Sequence, residues 1–344
     1  MEIVYKFVNY GENLSPEKET LVLDVGLKTV PGVIDHHHPE AEPECTASLI
    51  VKYPRLVLDH IRAREAEGKV QKLQFITHRL PDFDALASIF LALKLIEKGD
   101  VDSSLEKIAR YTKMVDSASL PKEVDLGATP YSILRALFSG ARKDENEVNA
   151  DRAREGLKFM KFLYSKSEEG YEIVENRLLF KGIERYESAM RKVENDYFHY
   201  LEDLAKGQKI SLFLPLVSGS GRIKLDGLIV KNPKSFLLKE WARRDKEHPS
   251  LGEGFTFLLT NFGNKRYILG VDPEKGVNLK GLGAKLNQRE HEKRAVSQKY
   301  LTRQWYDGNC PFFNYRIIDS PQDETLLNHE EVVETLLSFS QSLR

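Results

Sequence analysis

The sequence predicts an α/β fold: a mostly parallel N-terminal sheet, a helical linker and a smaller, mixed α/β C-terminal domain. Three observations predict it. A chain of 344 residues exceeds one ordinary hydrophobic core and suits two domains. Short apolar runs, each closed by a polar cluster and followed by helical spacing, recur along the first hundred residues, as parallel βα units do. After Gly207 the texture changes to apolar runs punctuated by glycine-rich turns, which marks a second, strand-rich unit.

The first apolar run, Thr20 to Gly26, ends in Asp24-Val25-Gly26 and reads as a buried strand. A second, Gly32-Val33-Ile34, ends at Asp35-His36-His37-His38. From Cys45 to Glu67 apolar residues recur at helical spacing; Glu44 or Thr46 suits the start, and Pro54 predicts a break. A third strand, Leu73 to Thr77, ends at His78 and leads through Pro81-Asp82-Phe83-Asp84 into a helix from about Ala85 to Lys98, closed by Gly99. Ligands of open α/β sheets gather beyond the carboxyl ends of the strands, where all three polar clusters fall. From about Ser103 to Lys206 the chain reads helical, interrupted near Pro121 to Thr129 and Gly140 to Glu147, with Asp116 ending its first helix. Strands are predicted at Ile210 to Val217, Leu225 to Val230, Phe255 to Thr260 and Tyr267 to Val271. The expected division is a metal-binding catalytic domain at 1–150, a helical linker at 151–206 and a substrate-binding domain at 207–344.

Hydrophobic residues make up 41% of the chain and charged residues 30%, an ordinary globular composition. Fifty-one basic side chains face 52 acidic ones, and a net charge of −1 excludes the global basic field of sequence-independent nucleic-acid binders. A polyanionic substrate must therefore be met locally. Cys45 and Cys310 lack a metal-ligand spacing, and no signal-like or long apolar stretch opens the chain. The expectation is a cytoplasmic protein without disulfides or membrane contact.

Four of the nine histidines, His36, His37, His38 and His78, stand at predicted strand ends among Asp24, Asp35, Asp82, Asp84 and Asp116. Imidazoles and carboxylates without thiolates suit a hard-to-borderline divalent ion, manganese first, with magnesium or zinc as alternatives. Asp82 and Asp84, two residues apart in a loop, can face different ions. Each segment alone has a plainer reading: three histidines as a solvated turn, Asp82 or Asp84 as a helix cap, Asp24 as a turn residue, Asp116 as surface. Their joint placement favours a two-metal centre. In the C-terminal half, Lys280, Lys285, Arg289, Lys293, Arg294, Lys299 and Arg303 read as a solvated helix face. Arg303 and Arg316 beside Trp305, Tyr306, Gly308 and Asn309 are better candidates for substrate, since an aromatic ring stacks a base and arginine grips phosphate.

These residues resemble the DHH phosphoesterase superfamily. Asp35-His36-His37 looks like its namesake motif; His78, Pro81, Asp82, Asp84 and Ala85, with Ser88, are similar to its histidine-aspartate segment; Asp24 and Asp116 look like its two separate aspartates. Asp226-Gly227-Leu228, Asn232-Pro233 and Gly276-Val277-Asn278-Leu279 resemble its associated C-terminal domain more loosely. Two features depart from the family pattern. The histidine-aspartate segment follows the DHH motif rather than preceding it, so the catalytic domain reads as permuted. The family's glycine-rich, histidine-containing substrate loop is replaced by Arg303-Gln304-Trp305-Tyr306-Asp307-Gly308-Asn309.

The resemblance implies hydrolysis assisted by two divalent ions about 3.5–4 Å apart. By resemblance, His78 and Asp82 hold the first ion; Asp84, His36 and Asp116 serve the second; Asp24 bridges them; Asp35 orients a neighbouring histidine; and His37 meets the phosphate or protonates the leaving oxygen. His38 has no assigned role. The implied substrate is a phosphodiester or phosphomonoester in a nucleotide, cyclic dinucleotide or short oligonucleotide. Two alternatives stay open. One is a pyrophosphatase or exopolyphosphatase, which needs no base-stacking aromatic; the other is a nucleotide-binding or regulatory module without turnover.

Overall fold

The structure, a computed structural model, describes residues 2–65, 72–140, 146–219, 221–263, 266–297, 304–321 and 325–341. It is mixed α/β and divides into two compact units, Met1–Val193 with Cys310–Phe312, and Glu194–Asn309 with Phe313–Arg344. The division falls inside one long helix rather than at 150 or 207, so the segment read as a linker is split between the units. No helix among the described residues is long and apolar enough to cross a membrane.

The first unit is built on a five-stranded sheet of β1 (Glu2–Val8), β2 (Thr20–Leu23), β3 (Thr29–Val30), β4 (Val33–Ile34) and β5 (Lys72–His78), in the order β1-β5-β2-β4-β3. All neighbours run parallel except the hairpin of β3 and β4. β2 is the central strand and fully buried, which explains its uninterrupted apolar run Thr20-Leu21-Val22-Leu23. It pairs with β4 on one side (Leu23 opposite Ile34) and β5 on the other (Val22 opposite Ile76), so all three end at one edge of the sheet. The residues just beyond them are Asp24, Asp35 and, closing β5, His78. Because β5 lies between β1 and β2, a segment later in the chain joins the cluster made by earlier ones.

Helices α1 (Thr46–Lys52), α2 (Arg55–Glu65), α3 (Phe83–Lys98), α4 (Ser103–Asp116), α5 (Pro130–Phe138), α6 (Asn146–Glu168) and α7 (Glu184–Lys206) follow, with the expected break at Pro54 between α1 and α2. α3 is the central helix. Its run Ala85-Leu86-Ala87-Ser88-Ile89-Phe90-Leu91-Ala92 is buried throughout and packs against α1, α4 and α6. Asp82 caps its start, accepting from the Ala85 N–H at 3.1 Å, and Gly99 closes it at φ +78. α6 packs on α3, α4, α5 and β1, so it belongs to the first unit and is not a linker.

One backbone position in this sheet is demanding. Gly32, at φ +86, leads into β4, and the His60 ring lies 2.6 Å from where a Cβ would stand. That ring is buried and held by its Nε2 hydrogen bond to the Thr20 carbonyl at 2.8 Å. Gly32→Ala is therefore expected to lower unfolding stability by roughly 2–4 kcal/mol, from the left-handed backbone and the displaced ring together. A denaturation midpoint shift worth less than about 1 kcal/mol would show that His60 yields freely.

The second unit holds the sheet β10-β9-β8-β7-β6, formed by β6 (Gln208–Pro215), β7 (Arg222–Lys231), β8 (Phe257–Asn261), β9 (Tyr267–Val271) and β10 (Ile317–Asp319). Its pairs are antiparallel except β7 with β8. α8 (Leu238–Arg244), α9 (Leu282–Ser297) and α10 (His329–Gln341) complete it. α9 and α10 pack together, and their Leu282, Leu286, Val332, Leu336 and Phe339 join the sheet residues Leu212, Leu225, Phe257 and Leu269 in one core.

Candidate metal centre

At the carboxyl edge of the first sheet, three groups of side chains converge, each with ligand atoms lying within 4.8 Å of one another: Asp24, His78 and Asp82; His36, Asp84 and Asp116; and Asp24, Asp35, His36 and His37. Every metal-binding candidate read from the sequence falls in one of them. Asp24 lies at the centre. Its Oδ2 is 3.2 Å from His78 Nε2, and its Oδ1 is 3.4 Å from His36 Nδ1 and 3.7 Å from His37 Nδ1. The backbone turns sharply at this residue, φ +62, with its N–H on the Ile34 carbonyl, which aims the side chain across the sheet edge.

His78, at the end of β5, places its Nδ1 2.9 Å from the Arg79 carbonyl. A carbonyl only accepts, so Nδ1 carries a hydrogen and Nε2 is the atom that faces Asp24 and, at 3.7 Å, Asp82. This is the orientation that metal-ligating histidines take from a backbone carbonyl. Burial would lower the His78 pKa, yet its hydrogen bonds to Asp24 and Asp82 push it up to about 10. A proton held there occupies the place a cation would take. Asp82, about half exposed, is held below the usual carboxylate range because pairing with His78 outweighs desolvation.

The second group is deeper. His36 Nε2 lies 3.3 Å from Asp116 Oδ2, at the last residue of α4, and Nδ1 lies 3.8 Å from Asp84 Oδ2. Asp84 has a second function, though not the cap of the following helix that the sequence offered as its plainer reading: its two oxygens accept the Thr46 and Ala47 N–H groups, both at 2.9 Å, and so cap the earlier helix α1 from a distance. Burial and the charges of Asp24 and Asp82 push the Asp84 carboxyl well above its ordinary pKa. Burial also raises Asp24, against its hydrogen bond to His78, and pulls His36 well below the usual imidazole value. Two buried carboxyls that resist ionisation, Asp24 and Asp84, beside the neutral imidazole of His36 are a donor set suited to divalent cations, which supply the missing countercharge. These residues fit such ions.

Asp35 and His37 form a dyad beside the two groups. Asp35 is fully buried; its Oδ2 accepts from the Leu27 N–H at 2.7 Å, and its Oδ1 stands 2.7 Å from His37 Nδ1 and accepts the His37 N–H at 3.1 Å. Burial would lower His37, but the charge and hydrogen bond of Asp35 raise it to about 9. His37 in turn offsets the desolvation of Asp35 and holds that carboxyl below its ordinary range. His38 points elsewhere. It lies 3.4 Å from the Thr29 hydroxyl and lines a separate cavity of about 800 Å³ with Leu27, Lys28, Tyr53 and Arg55.

Two contributors went unread in the sequence. Tyr10, beyond β1, stacks on His78 with ring centroids 4.2 Å apart, and its hydroxyl lies 2.9 Å from Nε2. Thr46, read only as a helix start, joins Asp24 and His36 by its hydroxyl, at 3.1 Å each. The strand before Tyr10 alternates weakly and carries Glu2 and Lys6, so nothing local marked it.

The substrate candidates lie in the second unit, and several are corrected. Trp305 is buried: its indole packs on Tyr267 and donates to Glu290, itself fully buried, so it is a core residue and not a platform for a base. Gly308 serves the backbone, at φ +64, where a Cβ would lie 2.8 Å from the Ile317 carbonyl oxygen. Asn309 is exposed and accepts from the Tyr315 hydroxyl, while Arg316 donates to the Phe313 carbonyl. Arg303 lies outside the described residues. The basic stretch on α9 is not a freely solvated face: Arg289 and Lys293 pair with Glu334 and Glu331 of α10, and Arg294 with Glu290. Comparison of the chain with protein-family models, curated proteins and solved structures found no match.

Proposed function

We propose that the chain is a metal-dependent phosphoesterase that hydrolyses a phosphodiester or phosphomonoester of a nucleotide, cyclic dinucleotide or short oligonucleotide. One observation carries this reading: two nitrogen–oxygen groups, one of Asp24, His78 and Asp82 and one of His36, Asp84 and Asp116, adjoin through Asp24. Adjacent sites of this kind suit in-line displacement at phosphorus, where charge builds on both the entering and the departing oxygen. When bound, a pair of divalent cations, manganese first, supplies Lewis acidity to the phosphoryl group and to the attacking water. The DHH-like motifs support the same reading.

The chain's own residues carry the proton work. Asp35 fixes the His37 ring through Nδ1 and keeps the imidazole protonated at neutral pH, so His37 is an acid toward the departing oxygen and not a base toward water. The Tyr10 hydroxyl, beside His78 Nε2, is a donor within reach of oxygens gathered at the first group. Burial of Trp305 favours a second reading, hydrolysis of pyrophosphate or polyphosphate, because it removes the aromatic expected to hold a base.

The deciding experiment assays the manganese-loaded protein against a chromogenic phosphodiester, a phosphomonoester, dinucleotides and pyrophosphate, beside Asp82→Ala and His36→Ala. Turnover of the esters or dinucleotides, lost in both variants, is expected. Turnover of pyrophosphate alone would move the assignment to the second reading, and stoichiometric manganese binding without any turnover would end the catalytic one.

A further inference from the structure

We infer that Thr46 sets the tautomer of His36 and thereby selects Nε2 as the nitrogen that meets a cation. The inference rests on the metal-centre reading above and adds to it a residue outside the ligand set.

Thr46 is fully buried and opens α1. Its hydroxyl has one hydrogen to give and lies 3.1 Å from two groups, Asp24 Oδ1 and His36 Nδ1. An ionised, metal-holding Asp24 only accepts, so the hydrogen is directed to Oδ1. Toward His36 the hydroxyl oxygen then has only lone pairs, and Nδ1 must carry the ring hydrogen. A neutral imidazole has a single N–H. Nε2 is therefore left with its lone pair, and that atom faces Asp116 Oδ2 at 3.3 Å. Asp24 Oδ1, 3.4 Å from Nδ1, favours a hydrogen on the same nitrogen.

The backbone of the same residue orders the rest of this group. The Thr46 N–H donates to Asp84 Oδ2 and the Ala47 N–H to Oδ1, at 2.9 Å each. One helical turn thus fixes the ring of His36, the carboxylate of Asp84 and, through the hydroxyl, Asp24, which serves the neighbouring group. The opposite tautomer would aim a hydrogen at Asp116 and leave the deeper group without a nitrogen donor. Cys45, which precedes Thr46, makes no side-chain cap for α1; Asp84 takes that position, so the helix start and the metal group are one construction.

Thr46→Val keeps the branched shape and removes the hydroxyl, and Thr46→Ser restores it. Calorimetric titration with manganese is expected to show two ions in the wild type. In Thr46→Val one of them should weaken by about ten- to hundredfold, as when the partner of a ligating histidine is lost. Thr46→Ser should remain within about threefold of wild type. Long-range ¹H–¹⁵N spectra of the zinc-loaded wild type should place the His36 hydrogen on Nδ1, a signature that does not depend on how well the valine variant folds. Unchanged binding of both ions in Thr46→Val, or a hydrogen on Nε2 in the wild type, overturns the role of Thr46 while leaving the metal centre standing. Failure of the wild type to bind manganese removes the metal centre and the inference with it.

Discussion

Asp24→Asn is expected to abolish manganese binding, weakening it by at least about a thousandfold, a larger loss than the ten- to hundredfold typical of residues behind the ligands. Asp24 belongs to the group of His78 and Asp82 and adjoins the group of His36, Asp84 and Asp116, with one oxygen toward His78 and the other toward His36 and Thr46. Asparagine preserves the volume and tolerates φ +62, which alanine would not, so the change isolates the charge. The metal-free variant should lose about 1–3 kcal/mol, because an amide has one acceptor oxygen and turns its NH₂ toward His78 or toward Thr46 and His36, and that deficit should narrow as pH rises. Burial raises the Asp24 pKa in the fold, so the native state holds a proton that the unfolded chain releases. Stability then falls as pH rises above the ordinary carboxylate range, and a neutral amide escapes that loss. Wild type with manganese at a hundredfold excess over Kd gains about 2.7 kcal/mol for each ion bound, and one ion alone is worth roughly 5–10 °C in Tm for a unit of this size. The variant should gain nothing. A manganese-dependent Tm rise in Asp24→Asn equal to that of wild type would refute the ligand role of Asp24.

How much of this centre was legible in the chain follows from which contacts are local. The three strand-end clusters were visible because a buried parallel strand is apolar throughout and stops abruptly at polar residues, as Leu23-Asp24 and Ile34-Asp35 do. The start of α3 was visible too, since Asp82 and Gly99 act within one turn of the helix. The misreadings are the long-range ones. Arg303-Gln304-Trp305-Tyr306-Asp307-Gly308-Asn309 has the polar texture of a surface loop, and only Glu290 and Tyr267, distant in the chain, draw the indole inward. The cations of α9 likewise look solvated until α10 brings Glu331 and Glu334 alongside. The unit boundary at Val193 interrupts an unbroken helix, where no glycine, proline or change of composition marks it. Thr46 escaped notice for the opposite reason: a threonine at a helix start has a common local explanation, and its actual partners, Asp24 and His36, lie 22 and 10 residues away.

Asp35→Asn is expected to reduce turnover by about 10²- to 10⁴-fold near neutral pH, the range associated with a positioned acid. The carboxylate accepts from the Leu27 N–H, the His37 N–H and His37 Nδ1, and an amide, with one acceptor oxygen, turns its NH₂ against at least one of these donors. An unpaired buried N–H costs about 1–3 kcal/mol, so some loss of stability accompanies the loss of activity, and pH separates the two. With Asp35 ionised, His37 is raised to about 9, above its unfolded value near 6.5. That pairing contributes stability fully below pH 6.5 and loses it as pH rises through 9. Without the carboxylate, burial and the charge of His78 are opposed only by Asp24, and the imidazole pKa moves down from about 9. The Tm gap between metal-free wild type and variant should therefore be widest near pH 5–6 and narrow toward pH 9, leaving only the unpaired N–H. The activity of the loaded enzyme should show the same shift. Its alkaline limb, drawn below 9 by the cations, should move down by a further unit or more in Asp35→Asn. His37→Gln should lose activity to a similar degree but leave no such limb. A variant whose stability gap and alkaline limb are both independent of pH would show that Asp35 merely ties the Leu27 turn, and that His37 takes no proton role from it.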